Sequence, residues 1–156
     1  TCPKGQLLDS PGCLGYPAVV AFAWDIAEAE SLRADGCEVL LWRPITRLLV
    51  TRVRGHATVA CLRFYEDHAE REMRSGRISV FHDWSEMTAY EPDARDELKR
   101  WARAHNDGFL GVHYLVRSKV VAMLISVAAL TLGRDLHATT DRPTFLAALA
   151  TALAAL

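Results

Sequence analysis

From Glu38 to its end, the chain alternates strand-like and helix-like apolar spacing, and this constrains its fold more than any other feature. Two β-rich runs come first, CEVLLWR and RLLVTRVRG, separated by Pro44-Ile45-Thr46, and together they read as a hairpin. The turn has no Asn-Gly or Asp-Gly, so the sequence leaves its geometry open. In the second run Leu49, Thr51 and Val53 alternate with Leu48, Val50 and Arg52. Its middle is apolar on both faces, which suits a strand inside a sheet.

Thr58 is placed to cap a helix running to about Arg74, with Cys61, Phe64, Tyr65, His68 and Ala69 on its apolar side. Arg63, Glu66, Asp67, Glu70 and Arg71 fill its solvated face, and Gly76 ends it. ISVFHDW, from Ile78, reads as a short buried strand. Pro92 then stands at the first position of a helix, where its missing N–H costs nothing. Ala94, Leu98, Trp101, Ala102 and His105 give that helix one apolar face, and Asn106-Asp107-Gly108 closes it.

VHYLVR is the next strand, and Ser118 caps the apolar helix Lys119 to Leu132. LHATT is the last strand, and Asp141 caps a helix carrying Phe145, Leu146, Leu149, Leu153 and Leu156. The order ββαβαβαβα implies an α/β fold with a mixed, mostly parallel sheet and right-handed crossovers. Ahead of it, residues 1–35 read as a Gly- and Pro-rich arm followed by a helix over Ala18 to Ala34. Val19, Phe22, Ile26 and Ala29 would share a face, and Asp35-Gly36 would be the stop. The expected division is therefore an N-terminal arm and helix over 1–35 and an α/β domain over 36–156.

The 156 residues suit one domain of this kind. With 18 basic and 19 acidic side chains the net charge is −1, and no basic stripe points to nucleic acid. Cys2, Cys13, Cys37 and Cys61 form no C-x-x-C pair, so a structural metal is not expected. Cys61 reads as a buried free thiol, and Cys2 and Cys13 would bridge only in an oxidising compartment. No secretory signal is legible. The longest apolar stretch, KVVAMLISVAALTLG, is shorter than the ~20 residues that span a bilayer. A cytoplasmic location is the expectation.

The stretches HDWSEMTAYEPDARDEL, HYLVRSKVVAMLISVAALTLG and HATTDRPTFLAAL, with the hairpin before them, resemble the STAS domains. The resemblance is to the bacterial STAS/SEC14-like group related to SpoIIAA, over about residues 38–156. It implies an interaction module whose partner-switching members are phosphorylated at a Ser or Thr where the helix after the third strand begins. The family pattern is D-x-S, a spacer, then D-S-S or D-S-T and Gly. Asp83-Trp84-Ser85 matches D-x-S. Glu91, Pro92 and Asp93 occupy the D-S-S positions, Asp93 stands at the phosphoacceptor, and Ala94 replaces the Gly.

The residues themselves support a related reading. Glu91 and Asp93 flank Pro92 at a helix start, where free N–H groups and the macrodipole favour negative charge. They would cap the helix and also present a permanent acid to a partner. The expected partner-binding set is Asp83, Trp84, Ser85, Glu86, Tyr90, Glu91 and Asp93, on a loop, with no cofactor, no metal and no turnover. A small enzyme using this acidic 83–93 loop is one alternative, but His82 and Asp83 should face opposite sides of their strand, and no G-x-S-x-G elbow is present. His82, His113 and His137 lie on strands and invite a metal cluster, yet His82 and His113 are expected at opposite ends of the sheet. The helix 119–132 is more apolar than one sheet contact requires. Val120, Met123, Leu124 and Val127 therefore mark a face for the N-terminal segment, for a homodimer, or for a small apolar ligand or lipid.

Overall fold

The computed structural model describes residues 24–132 and 135–155. Its elements are β1 (Glu30–Ala34), β2 (Cys37–Ile45), β3 (Leu48–Ala57), α1 (Val59–Met73), β4 (Ile78–Tyr90), α2 (Pro92–Ala104), β5 (Phe109–Leu115), α3 (Lys119–Leu132), β6 (Leu136–Thr139) and α4 (Arg142–Ala155). One six-stranded sheet runs in the order β1 to β6. The pairs β1–β2 and β2–β3 are antiparallel, and β3–β4, β4–β5 and β5–β6 are parallel. This is the expected mixed, mostly parallel α/β architecture, with one more strand at its front.

That strand corrects the helix expected over Ala18 to Ala34. Asp25 caps a single 3₁₀ turn, Ile26–Glu28, by accepting the Ala27 N–H, and the chain then extends into β1. Asp35 and Gly36 both have positive φ, 49° and 80°. They form the two-residue turn that matches the twist of a tight hairpin, so Asp-Gly here reverses the chain instead of stopping a helix. Val19, Phe22, the Gly/Pro-rich arm and the Cys2–Cys13 pair lie outside the described residues, as does Leu156.

The strand interior is apolar on both faces because helices lie on both. Leu41, Leu49, Ile78, Val80 and Val112 pack against Tyr65 and Ala69 of α1 and Trp101 of α2. Leu40, Trp42, Leu48, Val50, Phe81 and Leu115 pack against Phe145 and Leu149 of α4. The alternation of Leu48 and Val50 with Leu49 follows from the two-residue strand period. Thr58 caps α1 through the Cys61 N–H, Cys61 is buried, and Pro92 is at the start of α2, as expected.

β4 is longer than the strand read from ISVFHDW. It continues through Ser85 to Tyr90, pairing with β3 as far as Ala57↔Tyr90. Two register shifts interrupt that ladder, one between Arg52 and Arg54 and one between Gly55 and His56. Bulges of this kind re-aim side chains. The acidic segment is thus mostly strand, and only its last residues belong to the start of α2.

Candidate functional site

Strand alternation sends His82 and Asp83 to opposite faces of the sheet. On the α1 side, His82 Nδ1 lies 2.7 Å from the Thr51 hydroxyl. Its ring stacks on Tyr114 at 4.9 Å and meets Tyr65 edge-on at 4.8 Å. Burial pushes its pKa down to about 3, so the imidazole is neutral. It is a satisfied core histidine.

Asp83 is fully buried on the other face. Its Oδ1 accepts the Ser85 N–H at 3.1 Å and the Ser85 hydroxyl at 2.5 Å. Its Oδ2 accepts from Arg142 at 3.0 Å and from Arg52 at 3.3 Å. Arg142 also donates to the Ser85 oxygen at 2.9 Å. Burial alone would raise the Asp83 pKa, but the Ser85 hydroxyl and amide and the Arg142 guanidinium outweigh it and hold the carboxyl below its usual range. The ionised acid ties the middle of β4 to the first turn of α4. Ser85 is bound between an acid and a cation, and His82, three residues earlier, lies on the opposite face of the sheet, so no histidine base reaches the Ser85 hydroxyl.

The remaining members of the expected partner-binding set divide by exposure. Glu86 is half exposed and forms an ion pair with Arg54 at 3.2 Å. Tyr90 is 49% exposed and Asp93 is exposed in the first turn of α2. Trp84 is half-buried against His82 and Tyr114. Glu91 is the N-cap of α2, yet its carboxylate makes no cap bond there. It reaches across to accept the Val59 N–H at the start of α1, at 3.0 Å. Two expectations therefore change. Asp83 is an internal tie and not a surface contact, and Glu91 caps the neighbouring helix.

His82 and His113 do not lie at opposite ends of the sheet. His113 pairs in register with Phe81 and His82 with Tyr114, so only the faces differ. His113 stacks on Phe81 at 4.3 Å and on His137 at 4.7 Å, and burial followed by the His137 charge lowers its pKa to about 4. His137 Nε2 lies 2.5 Å from Asp135 Oδ1. Among the described residues, no group of three or more His, Cys, Asp or Glu could hold a metal ion.

On α3, Val120, Met123, Leu124 and Val127 are all more than half exposed. A cleft of about 400 Å³ is lined by Arg77, Asp107, Leu110 and Asp135, and one of about 500 Å³ by Arg33, Cys37, Glu38 and Arg54. No α3 residue lines either. No helix among the described residues is long and apolar enough to cross a membrane.

The sequence reading missed Arg142, Arg52 and Thr51 as parts of this region. For Arg142 a signal existed, because a cation in the first turn of a helix opposes the macrodipole unless an acid meets it. No comparable local signal marked Arg52 or Thr51, whose partners lie a strand away.

No family model matches the chain, and no curated protein does. Solved structures do. An uncharacterised protein of the DUF3478 family with a SpoIIAA-like fold, from Shewanella loihica, superposes with a TM-score of 0.59 at 16% identity, over 75% of this chain and 96% of that one. The anti-sigma factor antagonist SpoIIAA in its unphosphorylated form gives a TM-score of 0.51 at 7% identity, over 76% and 99%. The sheet order, the antiparallel front and the parallel remainder are those of a SpoIIAA-like fold, and that is the fold of this chain.

Proposed function

We propose that this chain is a non-enzymatic regulatory module that binds a protein partner through Glu86, Tyr90 and Asp93, at the end of β4 and the start of α2. The observation that carries this reading is the exposure of Tyr90 and Asp93 beside Glu86 on one strand-to-helix junction. An aromatic ring among exposed acids suits a protein interface. Asp93 stands where the partner-switching pattern places its phosphoacceptor, so the module presents a fixed negative charge at that position. The likeness to an anti-sigma factor antagonist, a protein named for acting on another protein, supports the same class of partner.

Asp83 and Ser85 support the rim from beneath by holding β4 to α4. A cytoplasmic setting belongs to the same reading. Affinity capture from the native host with the unaltered chain, repeated with Glu86→Lys and Asp93→Lys together, tests the proposal. Charge reversal should weaken a genuine partner by about tenfold or more with the fold retained, the lost Glu86–Arg54 pair lowering the thermal midpoint only slightly. Unaltered affinity for every captured protein would end it.

A further inference from the structure

We propose that Cys37 and Cys61 are a reversible thiol–disulfide pair, in which a hydroperoxide joins the two sulfurs and fastens the start of α1 to β2. The proposal does not depend on the reading of the Glu86–Asp93 rim. Strand alternation turns Cys37, Val39 and Leu41 to the α1 side of β2, and helical spacing turns Cys61, Tyr65 and Ala69 of α1 toward the sheet. Both cysteines are 3% exposed and pack in one cluster with Val39 and Val53. Their thiols are free and hydrogen-bond to each other. Thr58, the N-cap of α1, contacts both. Its N–H donates to the Cys37 sulfur, and its hydroxyl accepts the Cys61 N–H at 3.3 Å. A single buried thiol is inert, but two in contact need only a short approach to the ~2.05 Å of a disulfide.

Burial, the hydrogen bond with Cys61 and the Cys61 charge push the Cys37 thiol up to about 12. Cys37 therefore keeps its proton at neutral pH, and the Cys61 thiolate is the attacking sulfur. It attacks one oxygen of hydrogen peroxide and breaks the O–O bond. The departing hydroxide takes up a proton to become water, and Cys61 is left as a sulfenic acid. That product is neutral, so the charge that opposed Cys37 ionisation is gone and the first step prepares the second. The Cys37 sulfur then attacks the Cys61 sulfur, and its proton leaves with the hydroxyl as a second water. Two thiols and one peroxide give one disulfide and two waters. The cleft of about 500 Å³ that Cys37 lines with Arg33, Glu38 and Arg54 gives a small polar oxidant an approach. A dithiol reductant reverses the bond by exchange.

The bond would enclose β3 and fix the helix start that Glu91 also caps from across the β3–β4 pair. Peroxide treatment of the full chain, followed by alkylation of the remaining thiols and peptide mass mapping, tests this. The expected product is a Cys37–Cys61 crosslink, lighter by two hydrogens and lost on treatment with dithiothreitol. Because the crosslink restricts the unfolded chain, it should raise the thermal midpoint by about 5 °C or more, reversibly. A chain carrying Cys2→Ala and Cys13→Ala should keep both effects, and Cys37→Ala or Cys61→Ala should lose them. Mapping of the unaltered chain decides the matter even where a core substitution unfolds the protein. Full alkylation of both cysteines after peroxide, a bond from either to Cys2 or Cys13, or Cys61 carried on to sulfinic acid beside a free Cys37 would overturn the proposal. So would a crosslink that lowers the midpoint, because the native contact would then not be the one the bond needs.

Discussion

Arg142, in the first turn of α4, donates a hydrogen bond at 3.0 Å to the carboxylate of Asp83, which is fully buried in the middle of β4. The same guanidinium reaches the Ser85 oxygen, so one side chain satisfies two groups of β4. Removing it leaves a buried anion with only Arg52 as a cationic partner. Arg142→Ala should therefore cost about 2 kcal/mol, less than the ~3–5 kcal/mol of a fully buried pair because Arg52 remains. Arg142→Lys should recover only part, since an ammonium cannot span both acceptors as a planar guanidinium does. Denaturant unfolding of the three proteins measures this, and equal stabilities would remove the tie as a structural element.

The same acid sets a pH dependence. The folded Asp83 pKa lies below that of the unfolded chain. Its stabilisation is therefore full above the ordinary Asp value of about 3.9 and is lost as pH falls through the folded one. In an Asp83→Asn variant this component is missing. The stability gap between the two proteins should shrink as pH drops below about 4. A gap that widens in acid would contradict the assignment.

Glu91 and Asp93 flank Pro92 and were expected to act together, but only one of them is bound to the scaffold. The Glu91 carboxylate caps α1 from across the β3–β4 pair, while Asp93 is exposed. Glu91→Gln should weaken the charge-assisted cap, and Glu91→Ala should lose it at a cost of about 1 kcal/mol. Asp93→Asn should change stability by only a few tenths of a kcal/mol. Thermal midpoints that fall equally for both acids would show that each merely caps its own helix.

The elements legible in the sequence are those whose signal is local. Thr58, Pro92 and Asp141 sit at helix starts and fulfil those roles in the structure, the last by accepting the Thr144 N–H and hydroxyl. The alternation along Leu48 to Val53 reports a strand covered on both faces. β1 was hidden because Asp-Gly both stops helices and reverses hairpins, and pairing with β2 decides which role it takes. The continuation of β4 was hidden because, within SEMTAY, only Met87 packs against the core cluster around Cys61, too little apolar signal to mark a strand. At the candidate site, exposure of Asp93 followed from the reading, but burial of Asp83 did not. Its cation lies 59 residues away, and no local pattern connects them.

Gly55 marks where the hairpins β1–β2 and β2–β3 press together. Its φ is +78°, and a Cβ there would lie 2.2 Å from the Gly36 carbonyl oxygen, which also accepts the His56 N–H. The obstacle is backbone, so no side chain can swing aside. Gly55→Ala should cost about 2 kcal/mol or more from positive-φ strain and displaced backbone together. Gly36→Ala has an open surrounding and should cost only the positive-φ penalty, about 1 kcal/mol. Unfolding midpoints of the two variants compare a clash with a conformational penalty, and a smaller loss at Gly55 would show that the hairpins can separate.

Among the described residues, Glu66 is the acid whose burial is left uncompensated. It is 6% exposed on α1, and its Oε1 has no hydrogen-bond partner among the described residues. Burial raises its pKa, and Glu70 and Asp67 add to the rise while Arg63 and His105 oppose it. The folded chain therefore holds this proton more tightly than the unfolded chain does. The associated stability is present in full below the ordinary Glu value of about 4.3 and is lost as pH climbs through the folded pKa. Glu66→Gln keeps the shape and removes the charge that must otherwise form in the interior. The variant should be more stable at neutral pH by about 1 kcal/mol, the cost of an unsatisfied buried group. Its advantage should disappear in acid, where the wild-type side chain is already neutral. Chemical unfolding of both proteins from neutral pH down to about 4 measures the difference. A variant less stable than the wild type at neutral pH would mean that the carboxylate is held by a favourable partner, and α1 would then owe part of its docking to that charge.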